Sequence, residues 1–304
     1  MFNFICHLFA NIFGSRAYSK TPSPPPPLTV PAKTGVSGKS GVFLSPWVEA
    51  SWTLSALSDL LPKVMRINYP AFPLMTHNVS AQEADRLVGI IHAEIEYART
   101  IGALPLIVTT LGTIAPASVA NMTANASLVA DYYASVAKEF PGCAWEIGNE
   151  AEIPSGGNDA ALSAPIYASI FEAHAYAIRS VDLTSKMVTA GTSGFHYPWI
   201  REVLTLSRPD AVGVHPYGTA PQNLASAVAQ IGTHLPVWFT EFGLQYATMQ
   251  QVSEYFAFAR EVAPVAVWFS LSDLSSEKDQ HFGLMDAQGI KRMCYASAKA
   301  AFAK

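Results

Sequence analysis

From Gly41 onward the chain alternates short apolar runs with longer stretches whose apolar residues recur three and four positions apart. Runs of strand length fall at Val42–Ser45, Lys63–Asn68, Leu104–Thr109, Ala144–Gly148, Met187–Ala190, Ala211–His215, Val237–Thr240 and Val265–Phe269. They are apolar almost throughout, the pattern of parallel strands covered on both faces. The stretches between them read as amphipathic helices: Ala84, Leu87, Ile91 and Ile95 make one stripe, Leu128, Tyr132 and Val136 another, and Ile170, Ala173, Ala177 and Ile178 a third. The Ala-rich segment from Tyr295 to Phe302 reads as a final helix. Eight such units in about 265 residues predict an α/β fold, a single (β/α)8 TIM barrel, over an open doubly wound sheet. No GxGxxG follows the first strand, so nothing favours a dinucleotide-binding fold.

Residues 1–35 differ from the rest. Phe2, Ile5, Phe9 and Phe13 recur at helical spacing, and Thr21-Pro22-Ser23-Pro24-Pro25-Pro26-Pro27 follows. The proline run predicts an extended spacer. The chain therefore divides into a disordered, Pro-rich N-terminal tail over 1–35 and a barrel over 36–304. The apolar start lacks a leading basic residue and contains His7 and Asn11. It reads as a secretion signal, an interfacial anchor or a plain disordered tail. A secreted or surface-associated location is favoured over a cytoplasmic one, with membrane contact expected through this tail alone.

Composition narrows the function. Lys and Arg total 19 against 23 Asp and Glu, for a net charge of −4. No basic run appears, which argues against a nucleic-acid partner. Cys6, Cys143 and Cys294 are too few and scattered for a disulfide framework or zinc site. The eight histidines are dispersed, with no His-x-His or HExxH spacing, so neither a metal nor another cofactor is expected. The Ser193 neighbourhood lacks a GxSxG elbow.

Two strands end in carboxylates of similar design. Trp145-Glu146-Ile147-Gly148-Asn149-Glu150 closes the fourth, and Val237-Trp238-Phe239-Thr240-Glu241-Phe242-Gly243 contains the seventh. Barrel enzymes place their chemistry at the C-terminal ends of strands. That filter leaves Arg66 and Asn68 on strand two, Asn149 and Glu150 on strand four, and Ser193, His196 and Tyr197 on strand five. His215 and Tyr217 close strand six, Glu241 strand seven, and Trp268-Phe269-Ser270 strand eight. Glycosidic cleavage needs one carboxylic acid to protonate the leaving oxygen and a second carboxylate to attack the anomeric carbon or activate water. The two need different surroundings, and Arg66 and Tyr217 could keep Glu241 ionised. Asn149 could bond a sugar hydroxyl, and Trp268 offers a flat apolar face for a sugar ring. Trp47, Asn68, His196, Tyr197 and His281 are further subsite candidates. Glu146, turned opposite to Ile147, reads as a structural ion-pair partner, and Glu152 could line the site.

The ordered set of Arg66, Asn149-Glu150, His215-x-Tyr217, Thr240-Glu241-Phe242-Gly243 and Trp268 resembles the clan A glycoside hydrolases. The tail, Phe282-Gly283-Leu284-Met285-Asp286 then Gly289-Ile290-Lys291-Arg292, resembles the closing segment of many such enzymes. The resemblance implies a retaining glycosidase cleaving a β-linked glycoside or polysaccharide by double displacement, with Glu150 as acid/base and Glu241 as nucleophile. It further implies substrate contacts from Arg66, Asn149, His215, Tyr217 and Trp268, and a carbohydrate as the partner. Ala151 stands where many relatives carry Pro. The alternatives are a non-catalytic glycan-binding barrel and a transglycosylase using the same two carboxylates.

Overall fold

The structure, a computed structural model, describes residues 39–44, 52–75, 79–154, 158–273 and 281–304. The expected tail over 1–35 and the subsite candidate Trp47 lie outside the described residues.

Eight parallel strands close a barrel in chain order: β1 Lys39–Leu44, β2 Val64–Tyr69, β3 Leu104–Thr109, β4 Ala144–Asn149, β5 Lys186–Ser193, β6 Val212–His215, β7 Val237–Phe242 and β8 Val265–Trp268. Strand β1 pairs with both β2 and β8, so the sheet has no exposed edge. One helix follows each strand: α1 Thr53–Leu60, α2 Ala81–Thr100, α3 Val119–Glu139, α4 Ala164–Val181, α5 Tyr197–Leu206, α6 Leu224–Ile231, α7 Met249–Val262 and α8 Tyr295–Phe302. This is the (β/α)8 TIM barrel expected from the alternation of patterns. No described helix is long and apolar enough to cross a membrane.

Local chemistry sets the helix starts. Ser80 accepts from the Glu83 N–H at the start of α2, and Ser118 accepts from the Asn121 N–H at the start of α3. Thr248 and Gln251 make a reciprocal capping box at α7. The α2 stripe Ala84, Leu87, Ile91 and Ile95 is buried as expected. The α3 stripe is partly as expected: Val136 is buried, but Val129 and Tyr133 take the places of Leu128, which is 46% exposed, and of half-buried Tyr132. Alanines on either side of Leu128 left that face ambiguous in sequence.

The core has two layers. The outer one lies between strands and helices and holds Ile67, Ile107, Trp145, Ile147, Phe239, Phe242, Phe256 and Trp268. The inner one fills the barrel with Phe43, Val64, Leu106, Ala144, Val188, Trp238, Val265, Val267 and Phe269. Successive residues of a strand alternate between the layers, because the pleat has period two. Along β8 and the residue that follows it, Val265, Val267 and Phe269 face inward while Ala266 and Trp268 face outward.

Candidate active site

The site is built where that alternation brings polar side chains into the barrel mouth. On β2, outward Met65 and Ile67 bracket Arg66, whose guanidinium lies inside, 5.3 Å from the centre of the Phe43 ring. On β6, outward Val212 and Val214 precede inward His215. On β4, outward Trp145 and Ile147 bracket Glu146, fully buried in mid-strand.

Strand β7 breaks the rule. Phe239 and Phe242 are both outward, and the β7–β8 register shifts between them. The irregularity lets two successive side chains reach the interior: Thr240 donates to Glu146 Oε1 at 2.9 Å, and Glu241 accepts from Arg66 and from Tyr217. In a regular strand Glu241 would share the face of Phe239 and point at the helices. Such irregularities commonly re-aim a side chain beside a functional site.

Arg66 ties the carboxylates together. Its Nε donates to Glu146 Oε2 at 2.6 Å, and Nη2 donates to Glu146 Oε1 at 3.1 Å and to Asn149 Oδ1 at 2.8 Å. Its Nη1 donates to Glu241 Oε1. Because guanidinium has no acceptor, the Asn149 atom facing it must be the oxygen, which turns the amide NH2 away from Arg66. Tyr217 donates its hydroxyl to Glu241 Oε2 at 3.1 Å, so each nucleophile-candidate oxygen carries a donor. Burial alone would depress the Arg66 pKa, but Glu146 and Glu241 outweigh it and raise it above its ordinary value. Burial and then the Glu241 charge push the Tyr217 phenol well above its ordinary range.

Glu150 sits just past β4 in the left-handed region, at φ 43°, and its N–H is bonded to the Gly191 carbonyl at 2.9 Å. Such a backbone for a non-glycine residue costs on the order of 1–2 kcal/mol and is concentrated at functional sites. Gly148, at φ 85°, begins this turn, and a Cβ there would meet Leu111 at 2.8 Å. His215 Nδ1 lies 3.2 Å from Glu150 Oε1 and 3.6 Å from Glu241 Oε2, which caps the gap between those oxygens at the sum of the two distances. That limit is reached only if the three atoms are collinear.

His215 Nε2 faces Glu146 Oε1 at 3.6 Å on its other side. Burial alone would lower the imidazole pKa; Glu241, Glu146 and Glu150 outweigh it and raise it to about 9, against Arg66. Gly191 makes room for this ring, since a Cβ there would stand 2.1 Å from Nε2. Burial would also raise Glu146, but Arg66 and His215 hold it down to about 2.

The structure thus gathers Arg66, Asn149, Glu150, His215, Tyr217 and Glu241 around one point. It does not bring Trp268 there. Trp268 is fully buried on the helix side, 5.4 Å from Phe242 and 5.8 Å from Phe256 between ring centres, with its Nε1 donating to the Phe282 carbonyl at 3.1 Å. The sugar-platform expectation for Trp268 is therefore corrected: the residue is a core aromatic. The inward aromatic of that strand end is its neighbour Phe269, stacked on Phe43 at 5.0 Å and edge-on to Tyr217 at 6.5 Å. With both faces of β8 apolar, no signal in the sequence fixed which of the two looked inward. Glu152 accepts from the Ser193 N–H at 2.5 Å, bracing the ends of β4 and β5, and burial raises its pKa. His281 stacks on Tyr246 at 4.2 Å and Tyr197 on Phe195 at 5.8 Å, while Asn68 is half-buried at the end of β2.

The glycosyl hydrolase catalytic core family matches residues 148–267, a span that includes Asn149, Glu150, His215, Tyr217 and Glu241. The fold is similar to that of a family GH39 β-xylosidase from Caulobacter crescentus, with TM-score 0.66 and 16% identity over 90% of this chain and 73% of that one. It is also similar to a GH5_18 protein from Streptomyces cattleya, solved in complex with GlcNAc, with TM-score 0.67 and 12% identity over 88% of this chain and 80% of that one. A third similar fold is an exo-β-1,4-mannosidase from an Opitutaceae bacterium, with TM-score 0.64 and 14% identity over 91% of this chain and 62% of that one. No curated protein matches in sequence. The similar structures come from more than one glycoside hydrolase family.

Proposed function

We propose that this protein is a retaining glycoside hydrolase of clan A that cleaves a β-linked glycoside or polysaccharide by double displacement. An oxygen of Glu241 attacks the anomeric carbon as the glycosidic bond breaks, and the proton of Glu150 passes to the leaving oxygen. In the second half, ionised Glu150 takes a proton from water, whose oxygen attacks the same carbon and releases the Glu241 carboxylate. Arg66 and Tyr217 hold the Glu241 carboxylate aimed before attack. The amide NH2 of Asn149, turned away from Arg66, is placed for a sugar hydroxyl, and Phe269 takes over the apolar role expected of Trp268.

The single observation that carries this reading is the pair of carboxylates meeting at His215 Nδ1, with Glu241 also held by Arg66 and Tyr217. The reading is supported by the family match, which spans both carboxylates. The sugar itself is proposed only by class, a β-linked glycan of the kind named for the similar structures.

The test is mechanism-based trapping. The protein is incubated with a panel of activated 2-fluoro β-glycosides and its intact mass and labelled peptide are read by mass spectrometry. A covalent sugar on Glu241 is the expected outcome. A label on any other residue overturns the assignment.

A further inference from the structure

The fully buried Glu146 lies directly beneath the two proposed catalytic carboxylates. It receives two donors from Arg66, the Thr240 hydroxyl at 2.9 Å and the Gly191 N–H at 3.0 Å, and stands 3.6 Å from His215 Nε2. These contacts come from β2, β5, β6 and β7 around a residue of β4. A buried anion on this scale persists only when it is paired and hydrogen-bonded. Its partners are the two cations that touch the reacting groups: Arg66 reaches Glu241, and His215 reaches both Glu150 and Glu241.

We propose that Glu146 is a positioning residue for catalysis, whose negative charge holds His215 as an imidazolium between the two catalytic carboxylates and aims Arg66 at the nucleophile. The proposal rests on the two-carboxylate reading above. The ring geometry supports it. Both ring nitrogens of His215 face carboxylate oxygens, Glu146 across Nε2 and Glu150 and Glu241 across Nδ1, so a lone pair on either nitrogen would point at negative charge. The charged groups facing His215 are Glu146 from β4, Glu150 from the following turn, Glu241 from β7 and, in opposition, Arg66 from β2. With Glu146 ionised, the charges of the two cations are matched by those of Glu146 and Glu241. Without the Glu146 charge the cluster carries one excess positive charge, and His215 releases its proton more readily.

Two substitutions separate charge from shape. Glu146→Gln keeps the outline and removes the charge; Glu146→Asp keeps the charge one methylene further away. Full-length protein, labelled with heavy-nitrogen histidine, is titrated by NMR with His215 assigned from a His215→Gln sample. In the parent protein His215 is expected to remain doubly protonated well above neutrality. In Glu146→Gln its titration should fall by about 1–3 pH units, the size of effect an opposite charge within ~4–6 Å produces. The alkaline limb of kcat/KM should move down with it, and Glu146→Asp should restore most of both. A Gln variant indistinguishable from the parent, a parent His215 already neutral near pH 7, or an Asp variant that behaves like Gln overturns the proposal. The NMR arm needs no substrate and Glu146→Asp retains the buried charge if the Gln variant fails to fold. Loss of the glycosidase reading would show separately, as absence of turnover by a parent protein whose His215 still responds to Glu146.

Discussion

Trp268 and Phe269 are adjacent aromatics on one strand, and only one faces the barrel mouth, so their alanine variants should fail in different ways. Trp268 is wholly buried against Phe242 and Phe256. Removing a core aromatic of this size costs about 3–5 kcal/mol, and the lost Nε1 donor leaves the Phe282 carbonyl short of a hydrogen bond worth ~1 kcal/mol. With an unfolding entropy of ~2.1 cal/mol/K per residue, about 5 kcal/mol over a barrel of this length lowers Tm by roughly 9 °C. Measured well below that temperature, Trp268→Ala should keep kcat/KM within about threefold of the parent, since the residue packs on the helix side of its strand. Phe269→Ala also opens a cavity, next to Phe43 and Tyr217, and should in addition lower kcat/KM by about tenfold or more, a loss of ~1.4 kcal/mol of transition-state binding. Thermal unfolding by circular dichroism and steady-state kinetics on both variants decide the matter. A Trp268→Ala protein with unchanged Tm and collapsed kcat/KM would refute the facing assigned to this strand.

Three further outcomes are expected. Glu150→Ala should lower kcat by about 10²–10⁴-fold on glycosides with poor leaving groups and far less on dinitrophenyl glycosides, with added azide restoring turnover and giving the β-glycosyl azide; an α-azide would rule out retention. Stability toward denaturant should decline on both sides of neutrality: His215, raised to about 9, contributes fully below its ordinary 6.5 and loses that contribution as pH climbs through about 9, while Glu146, held at about 2, contributes above its ordinary 4.5 and loses it as pH falls toward about 2. A His215→Gln protein that keeps the full alkaline decline would contradict the first half. Gly191→Ala drives a methyl into the space of His215 Nε2 and Thr240 Oγ1, at 2.1 and 2.5 Å, and should cut kcat/KM by about tenfold or more by displacing the imidazole; unimpaired kinetics would mean the ring is not held where it is described.

Much of this protein could be read from its residues in order. The eight apolar runs and the three-and-four spacing between them set the class of fold, because each local pattern has one period and one way to be covered. Asn149-Glu150 and Glu241 were visible as strand-end carboxylates, since a charged group closing an apolar run has few places to go. What remained undetermined was facing. A barrel buries both sides of every strand, so β7 and β8 carry no polar alternation to mark inside from outside. Phe269 instead of Trp268 points inward because β8 pairs in one register with β1 and β7. Glu241 points inward because the β7–β8 register slips between Phe239 and Phe242. The α3 stripe shifted from Leu128 to Val129 and Tyr133 for a related reason, as alanine-rich turns let neighbouring faces compete until the packing against α4 selects one. Glu146 shows the same limit: four other strands and turns had to close around it before a mid-strand carboxylate became the charge beneath the site. Residue type and period are local properties of a chain, whereas register and the partner of a buried charge exist only once distant strands have met.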